Sequence, residues 1–295
     1  MRLRGLMVGA VTAALVLPLA ACGGSDSGNS GSNPPVATSA AFEDGTTMKK
    51  LADAGTVKVG TKFDQPLFGL KGLDGKPVGF DVEIAKIIAA KLGISADKIE
   101  WTETPSKVRE EVIEQGKVDF VVATYTINDA RKQRVSFAGP YYEAGQDLMV
   151  KKDNSAITGP DSLKAANAKV CSVTGSTPSE NIKKYIDPAN LVLFDVYSKC
   201  ADALRTGQVD VVTTDNVILL GLVDASKGEF KLVGKPFTKE PYGIGIKKAD
   251  TKFCEFIHET LEEAAGNGGY EKAWKDTAGT VAPNTPKLPT LATCA

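Results

Sequence analysis

The sequence predicts an α/β protein of two lobes, each built on a parallel-type sheet, with the chain crossing between them twice. Three observations carry this. Short β-branched runs alternate with runs at helical spacing, the pattern of strand–helix–strand units whose sheet is covered on both faces. The pattern occurs twice: QGKVDFVVATYTI at 115–127 matches TGQVDVVTTDNVI at 206–218, with Gly116, Val118, Asp119 and Ile127 answering Gly207, Val209, Asp210 and Ile218 at a constant offset of 91. Two extended apolar stretches, 146–151 and 242–247, stand between and after the repeated halves, where each would carry the chain across. Two crossings make a hinge about which the lobes rotate without separating.

The elements follow in order. Residues 56–60 (TVKVG) read as a strand, and 81–92 as a helix with Ile84, Ile87, Ile88 and Leu92 on one face, Asp81 as N-cap and Gly93 as terminator. Residues 98–102 are strand-like, 106–115 helical behind Thr104 and Pro105, and 118–123 a strand. In the second half, strands are expected at 168–173, 191–196 and 209–213, with helices at 179–185 and 201–205. A helix at 251–265 returns to the first lobe. The predicted organisation is a leader over 1–21, a tether over 22–44, lobe 1 over 45–146 and 245–277, lobe 2 over 147–244, and a Pro-rich tail over 278–295.

Composition bounds the function. The 295 residues are 42% hydrophobic and 24% charged with 29 Gly and 15 Pro, which excludes collagen-like, coiled-coil and wholly disordered classes. A formal net charge of −1 offers no global field for nucleic acid, and no nucleic-acid partner is expected. A single histidine, His258, leaves little for His-based catalysis or a His-rich metal site. No catalytic group, metal or cofactor is expected.

Arg2 and Arg4 followed by an apolar run to Ala21 read as an export signal, too short to span a membrane. The run ends Leu19-Ala20-Ala21-Cys22-Gly23, which resembles the lipobox of bacterial lipoproteins; the resemblance implies that Cys22 becomes a lipidated, palmitate-bearing N-terminus on the extracellular face of the cell membrane. An ordinary Ala-x-Ala cleavage site beside a chance cysteine is the alternative. Residues 23–41 have almost nothing to bury, and roughly 19 such residues give a typical reach of about 25 Å. Four further cysteines remain, an even number suited to an oxidising compartment. Cys171 and Cys200 share one region and Cys254 and Cys294 another, which favours those two pairs among three possible pairings.

In open parallel sheets ligands bind beyond the carboxyl ends of the strands. The residues there are Thr61, Lys62, Phe63 and Asp64 after the first strand; Thr124, Tyr125, Thr126 and then Arg131 after the third; Thr174, Gly175, Ser176 and Thr177; and Asp215, which the repeat aligns with Thr124. A guanidinium offers paired N–H groups to a carboxylate. Hydroxyls and backbone N–H groups complete that shell, and an aspartate opposite accepts from an ammonium. Carboxylate and ammonium at short separation describe an α-amino acid. Taken alone, Arg131 in DARKQR would be a solvated surface residue.

TYTINDARKQRVSFAGPYY (124–142) resembles the signature of the family 3 extracellular solute-binding proteins, receptors of ATP-driven amino-acid importers. VGFDVEIAKIIAAKLG (78–93), GTKFDQPLFGL (60–70) and TTDN (213–216) match further motifs in order, over roughly residues 45–277. CSVTGSTPSENI (171–182), YSKC ending at Cys200 and YGIGIKK (242–248) look most like the glutamate-binding lipoproteins of actinobacteria, in which the first cysteine pair is bridged. The resemblance implies a two-lobed, type II periplasmic-binding-protein-like fold and a monomer that delivers its ligand to a permease. By position, Arg131 resembles the clamp on the α-carboxylate, with Thr126 beside it, and Thr124 a ligand for ammonium or carboxylate. Thr174 to Thr177 resemble the closing loop of the second lobe, and Asp215 the holder of the ammonium. Phe63 supplies the aromatic wall, with Tyr125 and Phe68 as alternatives.

Lys62 stands where receptors for basic amino acids carry an acid, which favours a γ-carboxylate. Arg109 has the spacing of a distal-carboxylate reader; an ordinary helix-surface arginine paired with Glu110 or Glu114 is the other reading. Two cations point to glutamate first, then aspartate or glutamine. A ligand sensor for a signalling partner and a dehydratase-like enzyme on the same lobes are the competing functions. Trp101 and Trp274 are expected as packing residues, and His258 as structural or exposed.

Overall fold

The computed structural model describes residues 33–38 and 41–294. The expected leader, the lipidation site Cys22 and most of the tether lie outside the described residues. The first predicted strand forms at Val57–Thr61, buried except at Lys58, as a strand covered on both faces must be. It pairs in parallel with Ile99–Glu103 on one side and Phe120–Val121 on the other. Strand Glu240–Ile246 then pairs antiparallel to Phe120–Val121, and Ser136–Ala144 completes the five-stranded sheet antiparallel to it.

The second sheet repeats this plan. Leu191–Phe194, Val170–Val173 and Val211–Asp215 form its parallel part, while Gln146–Lys151 and Phe230–Leu232 extend it antiparallel. The stretches expected to carry the chain across are therefore sheet strands. Gln146–Lys151 and Glu240–Ile246 are buried along most of their length, and buried backbone groups need ladder partners. The crossings fall just upstream, at Gly145 and over residues 233–239. They lie side by side: Gln146 N–H donates to Thr238 Oγ1 at 3.0 Å, and Phe237 N–H to the Gln146 carbonyl at 2.9 Å. A small antiparallel sheet of Asp64–Gln65, Gly69–Lys71 and Pro77–Val78, which no periodicity announced, hangs beside the first sheet.

The sequence repeat is a structural one. Asp119 Oδ2 accepts from the Lys58 amide at 2.8 Å, and Asp210 Oδ2 from the Lys169 amide at 2.8 Å. The paired aspartates thus fasten each repeated strand to the strand beside it. Gly116 and Gly207, at φ 64° and 77°, turn the chain out of helices Arg109–Glu114 and Tyr197–Thr206, a conformation that favours glycine.

Helix Phe80–Lys91 buries Ile84 and Ile88 against the first sheet, but Asp81 is not its N-cap. Gly79 holds that position at φ 133°, where a Cβ would lie 2.3 Å from the Phe68 carbonyl, and no side chain caps the helix. Asp81 is drawn inward instead: its carboxylate accepts from Thr124 N–H at 2.7 Å and Tyr141 O–H at 2.6 Å. Trp274 is core, stacked on Tyr142 at 5.4 Å, and Trp101 is half-buried against the same core.

Both expected disulfides are present. Cys171–Cys200 ties strand Val170–Val173 to helix Tyr197–Thr206, and Cys254–Cys294 pins the tail to helix Thr251–Gly266. Leu288 and Leu291 of the tail pack on the first-sheet core, and Ala292 N–H donates to the Gly139 carbonyl at 2.7 Å. His258 is structural, its Nε2 accepting from Gly139 N–H at 2.9 Å. At its described end the tether meets the body: Ala37 N–H bonds the Ala90 carbonyl, and Phe42 sets its ring edge-on to Phe256 at 5.6 Å. Among the described residues no helix is long and apolar enough to cross a membrane.

Candidate functional site

The loops that follow the two parallel half-sheets meet. Thr126 and Thr177 bring their hydroxyls to 3.3 Å, and Arg131 Nη2 donates to the Gly175 carbonyl at 3.1 Å. Along this seam runs a cleft of about 630 Å³, lined by Thr126, Arg131, Gly175, Ser176, Thr177 and Glu240 among others. Its size lies within the range of small-molecule sites. Lys62, Phe63, Arg109, Thr124, Thr174 and Asp215 are not part of its lining.

Arg131 is 7% exposed, unlike a solvated surface arginine. Asn128 caps the short helix Asp129–Lys132 by accepting from the Arg131 amide, which turns the side chain inward. Its Nη1 donates to the Thr126 carbonyl at 2.6 Å and its Nε lies 3.4 Å from Glu110 Oε1. Burial, then the neighbouring Arg109, pushes its pKa down to about 10. Five N–H donors exceed these three partners, so the group can hold its place and still donate.

Arg109 is 2% exposed and pairs with neither Glu110 nor Glu114. Its Nη1 donates to the Ala123 carbonyl at 2.9 Å and lies 3.3 Å from that of Thr124, while its guanidinium stands 4.1 Å from the Tyr125 ring. Arg131 faces the same ring at 5.1 Å, so Tyr125 is shared by both cations. Phe68 belongs to the aromatic core with Phe80 and Tyr142, and Phe63 carries the Lys71 ammonium over its ring at 4.8 Å.

Lys62 is buried and donates to Ser106 Oγ at 2.9 Å. Desolvation, then Arg109, pushes its pKa down to about 7, against the opposing pull of Asp64 and Asp81. Thr124 sits at φ 44°, its hydroxyl 3.0 Å from Gln65 Oε1. In the second lobe, Ser176 caps helix Thr177–Asn181, Thr174 N–H is spent on the Phe194 carbonyl, and Thr177 O–H donates to Glu240 Oε2 at 2.7 Å.

Asp215, at the end of strand Val211–Asp215, is 3% exposed. Tyr242 O–H donates to its Oδ2 at 2.7 Å, and its Oδ1 has no partner among the described residues. Burial, then Glu240, pushes its pKa up to about 7, with Arg131 and Arg109 pulling the other way. Thr61 Oγ1, Gln65 Nε2, Arg109 Nε and Thr214 Oγ1 are likewise buried and unpartnered. A buried polar group without its bond costs about 1–3 kcal/mol. These atoms come from both half-sheets; Arg109 and Asp215 among them were predicted as ligand residues, Gln65 and Thr214 were not.

Sequence reasoning missed Asp81, Gln65, Glu240 and Tyr242, and met Glu110 only as a partner for Arg109. No local pattern marks them, because each acts on a residue distant in the chain. Among the described residues one cluster has metal-ligand character, Cys254, His258 and Cys294, whose ligand atoms lie within 4.8 Å of one another; its two sulfurs are joined to each other.

Residues 57–276 match the bacterial extracellular solute-binding proteins of family 3. The glutamate-binding protein GluB of Corynebacterium efficiens is 38% identical over 264 residues, 82% of this chain and 90% of that one. The ABC transporter glutamine-binding protein GlnH of Bacillus subtilis is 38% identical over 261 residues, 88% and 92% of the two chains. Among solved structures, an ancestral arginine-binding protein bound to glutamine is 38% identical with a TM-score of 0.71, covering 76% of this chain and 98% of that one. A solute receptor for L-cysteine from Neisseria gonorrhoeae, 26% identical, reaches a TM-score of 0.74 over 83% and 99%. These likenesses bear out the two-lobed, type II architecture and an amino-acid-binding role. The chain belongs to the bacterial extracellular solute-binding proteins of family 3.

Proposed function

We propose that this protein is a receptor for L-glutamate, held to the membrane through Cys22 and serving the permease of an ABC importer. The observation that carries the ligand is a half-partnered carboxylate, Asp215, together with a cluster of three buried cations. Asp215 keeps one carboxylate oxygen unpartnered, an acceptor for a single ammonium. Lys62, Arg109 and Arg131 crowd closely enough that Arg109 lowers the pKa of both Lys62 and Arg131, and Arg131 lowers that of Lys62. One ammonium and two carboxylates match that set. In this reading Arg131 and Thr126 take the α-carboxylate with the Thr174–Thr177 loop closing over it, Asp215 the ammonium, and Lys62 with Arg109 the γ-carboxylate. Thr124, Phe63 and Tyr125 complete the walls. The lobes divide at the two crossings, residues 45–144 and 240–277 against 146–232, and closure of one on the other presents both outer faces to the permease.

Calorimetry of the purified chain with all twenty amino acids tests this. Tight binding of glutamate, above glutamine and aspartate, is the expected result; failure to bind any of the three defeats it. Glutamine is the second reading, favoured by Lys62 itself. A lysine held near neutrality is only part-charged at pH 7, and a neutral amine, still a donor, reads an amide oxygen as readily as a carboxylate. Relatives whose names specify glutamate and glutamine binding are equally similar to this chain.

A further inference from the structure

We propose that Asp64 is a closure latch: a carboxylate beside the first sheet that supplies the missing N-cap of a helix on the second sheet, and so favours the closed arrangement of the lobes. The inference rests on the two-lobed receptor reading but adds a residue outside the amino-acid clamp.

Helix Tyr197–Thr206 is bound to the second sheet through the Cys171–Cys200 bridge. Its N-cap residue is Val196, whose backbone (φ −138°, ψ 153°) has the extended shape of a cap but whose side chain accepts nothing. Helices Thr47–Ala54, Thr177–Asn181 and Thr251–Gly266 are capped by their own Thr46, Ser176 and Asp250. For Tyr197–Thr206 the acceptor comes from 133 residues away: Asp64 Oδ2 takes the Tyr197 amide at 2.7 Å and lies 3.4 Å from the Ser198 amide. A carboxylate there also meets the positive end of the helix dipole.

The same loop makes a second contact across the seam. The Pro66 carbonyl sits against Gly221 of helix Asn216–Ala225, so close that a Cβ at 221 would fall 2.3 Å from its oxygen. Glycine at that point lets the lobes come together. Both contacts join elements on different sheets, so rotation about the crossings breaks them and returns the two amides to water. A cap of ordinary strength then lowers the apparent Kd by about 2- to 30-fold where the open form prevails in the absence of ligand.

The test is calorimetry of L-glutamate and L-glutamine binding to Asp64→Ala, Gly221→Ala and the wild-type chain. In both variants Kd should rise by one common factor for the two ligands, within ~2–30-fold for Asp64→Ala. In Asp64→Ala, adding Val196→Ser restores a cap from the helix's own lobe; melting temperature should recover while affinity does not. An unchanged Kd, a loss confined to one ligand, or affinity recovering with Val196→Ser overturns the latch. Should the wild type bind neither amino acid, the ligand assignment fails separately. The latch is then read by paramagnetic relaxation between the lobes of the unliganded chain, which reports even a minor closed state: a smaller closed fraction in Asp64→Ala supports it, and an unchanged fraction refutes it.

Discussion

Asp215→Asn should improve the unliganded fold while destroying its use. The variant keeps the shape of the side chain and an oxygen for the Tyr242 hydroxyl, but removes a charge that burial opposes. A carboxyl pKa pushed from 3.8 to about 7 means that ionised Asp215 costs the folded chain on the order of 4 kcal/mol. The amide leaves an N–H pair where Oδ1 has no partner, which returns about 1–3 kcal/mol of that gain. A net gain of about 1–3 kcal/mol remains, or a melting temperature higher by ~2–12 °C for a chain of this size. The sign follows from proton binding: a raised carboxyl pKa gives stability that is present below pH 3.8 and lost as pH rises through about 7. The advantage of the variant should therefore grow between pH 4 and 7 and level off above. Binding moves the opposite way. Losing a charge-assisted bond to the ligand ammonium costs about 1.5–3 kcal/mol, ~10- to 150-fold in Kd. Calorimetric scans without ligand at pH 5 and 8, with titration at pH 8, read both effects. A variant that melts lower at pH 8, or binds within two-fold of wild type, refutes the reasoning.

Arg131→Ala should take binding below detection by titration, and should also lower the unliganded melting temperature, because buried Glu110 loses its ion-pair partner at a cost on the order of 3 kcal/mol. Lys62→Ala should weaken glutamate by ~10- to 150-fold and glutamine by only a few-fold; equal losses would remove Lys62 as the distal reader. In the wild type, both affinities should fall as pH drops below 7 and Asp215 takes up its proton, while the glutamate-to-glutamine preference rises as Lys62 gains its own near the same pH; titrations at pH 6, 7 and 8.5 show whether it does. Cys254→Ser should cost about 4 kcal/mol by the loop-entropy argument and free the tail, read as a lower melting temperature and new tryptic cleavage after Lys287, with Kd unchanged.

The parts of the molecule legible in its sequence are those governed by near neighbours. Short runs rich in β-branched and aromatic residues located the strands at 57–61, 99–103 and 170–173, because strand preference is read from adjacent residues. The matched Gly of the two halves answers a local demand, a left-handed turn, whereas the matched Asp was visible only through the repeat, since its bond reaches a strand far off in the chain. Asp81 misled for the same reason: one aspartate opening an apolar helix reads as a cap, and nothing nearby reveals that Thr124 and Tyr141 claim its oxygens. Likewise 146–151 and 242–247 looked like connectors because their sheet partners lie far off in the chain. Glu240 and Asp64 were illegible on principle. Their partners Thr177 and Tyr197 are brought to them only when two separately encoded lobes meet.

That meeting also explains how a repeated frame makes an asymmetric site. The repeat sets Thr124 and Asp215 at equivalent points beyond equivalent strands. Two copies closing on each other with the same side chain would give a symmetric site, poorly matched to a zwitterion. Here the first half carries Lys62, Arg109 and Arg131 beside the buried carboxylates of Asp81 and Glu110, and the second carries Asp215, with Lys62, Arg131 and Asp215 each pushed by burial toward its neutral form. Neither half alone has a reason to bury such groups; a ligand bearing both signs relieves them together, and only when the halves are closed. In the proposed reading, the electrostatic cost of the unliganded site is what couples occupancy to closure. It follows that removing the charge of Asp215 should stabilise the unliganded chain and uncouple occupancy from closure, as the Asp215→Asn experiment measures directly.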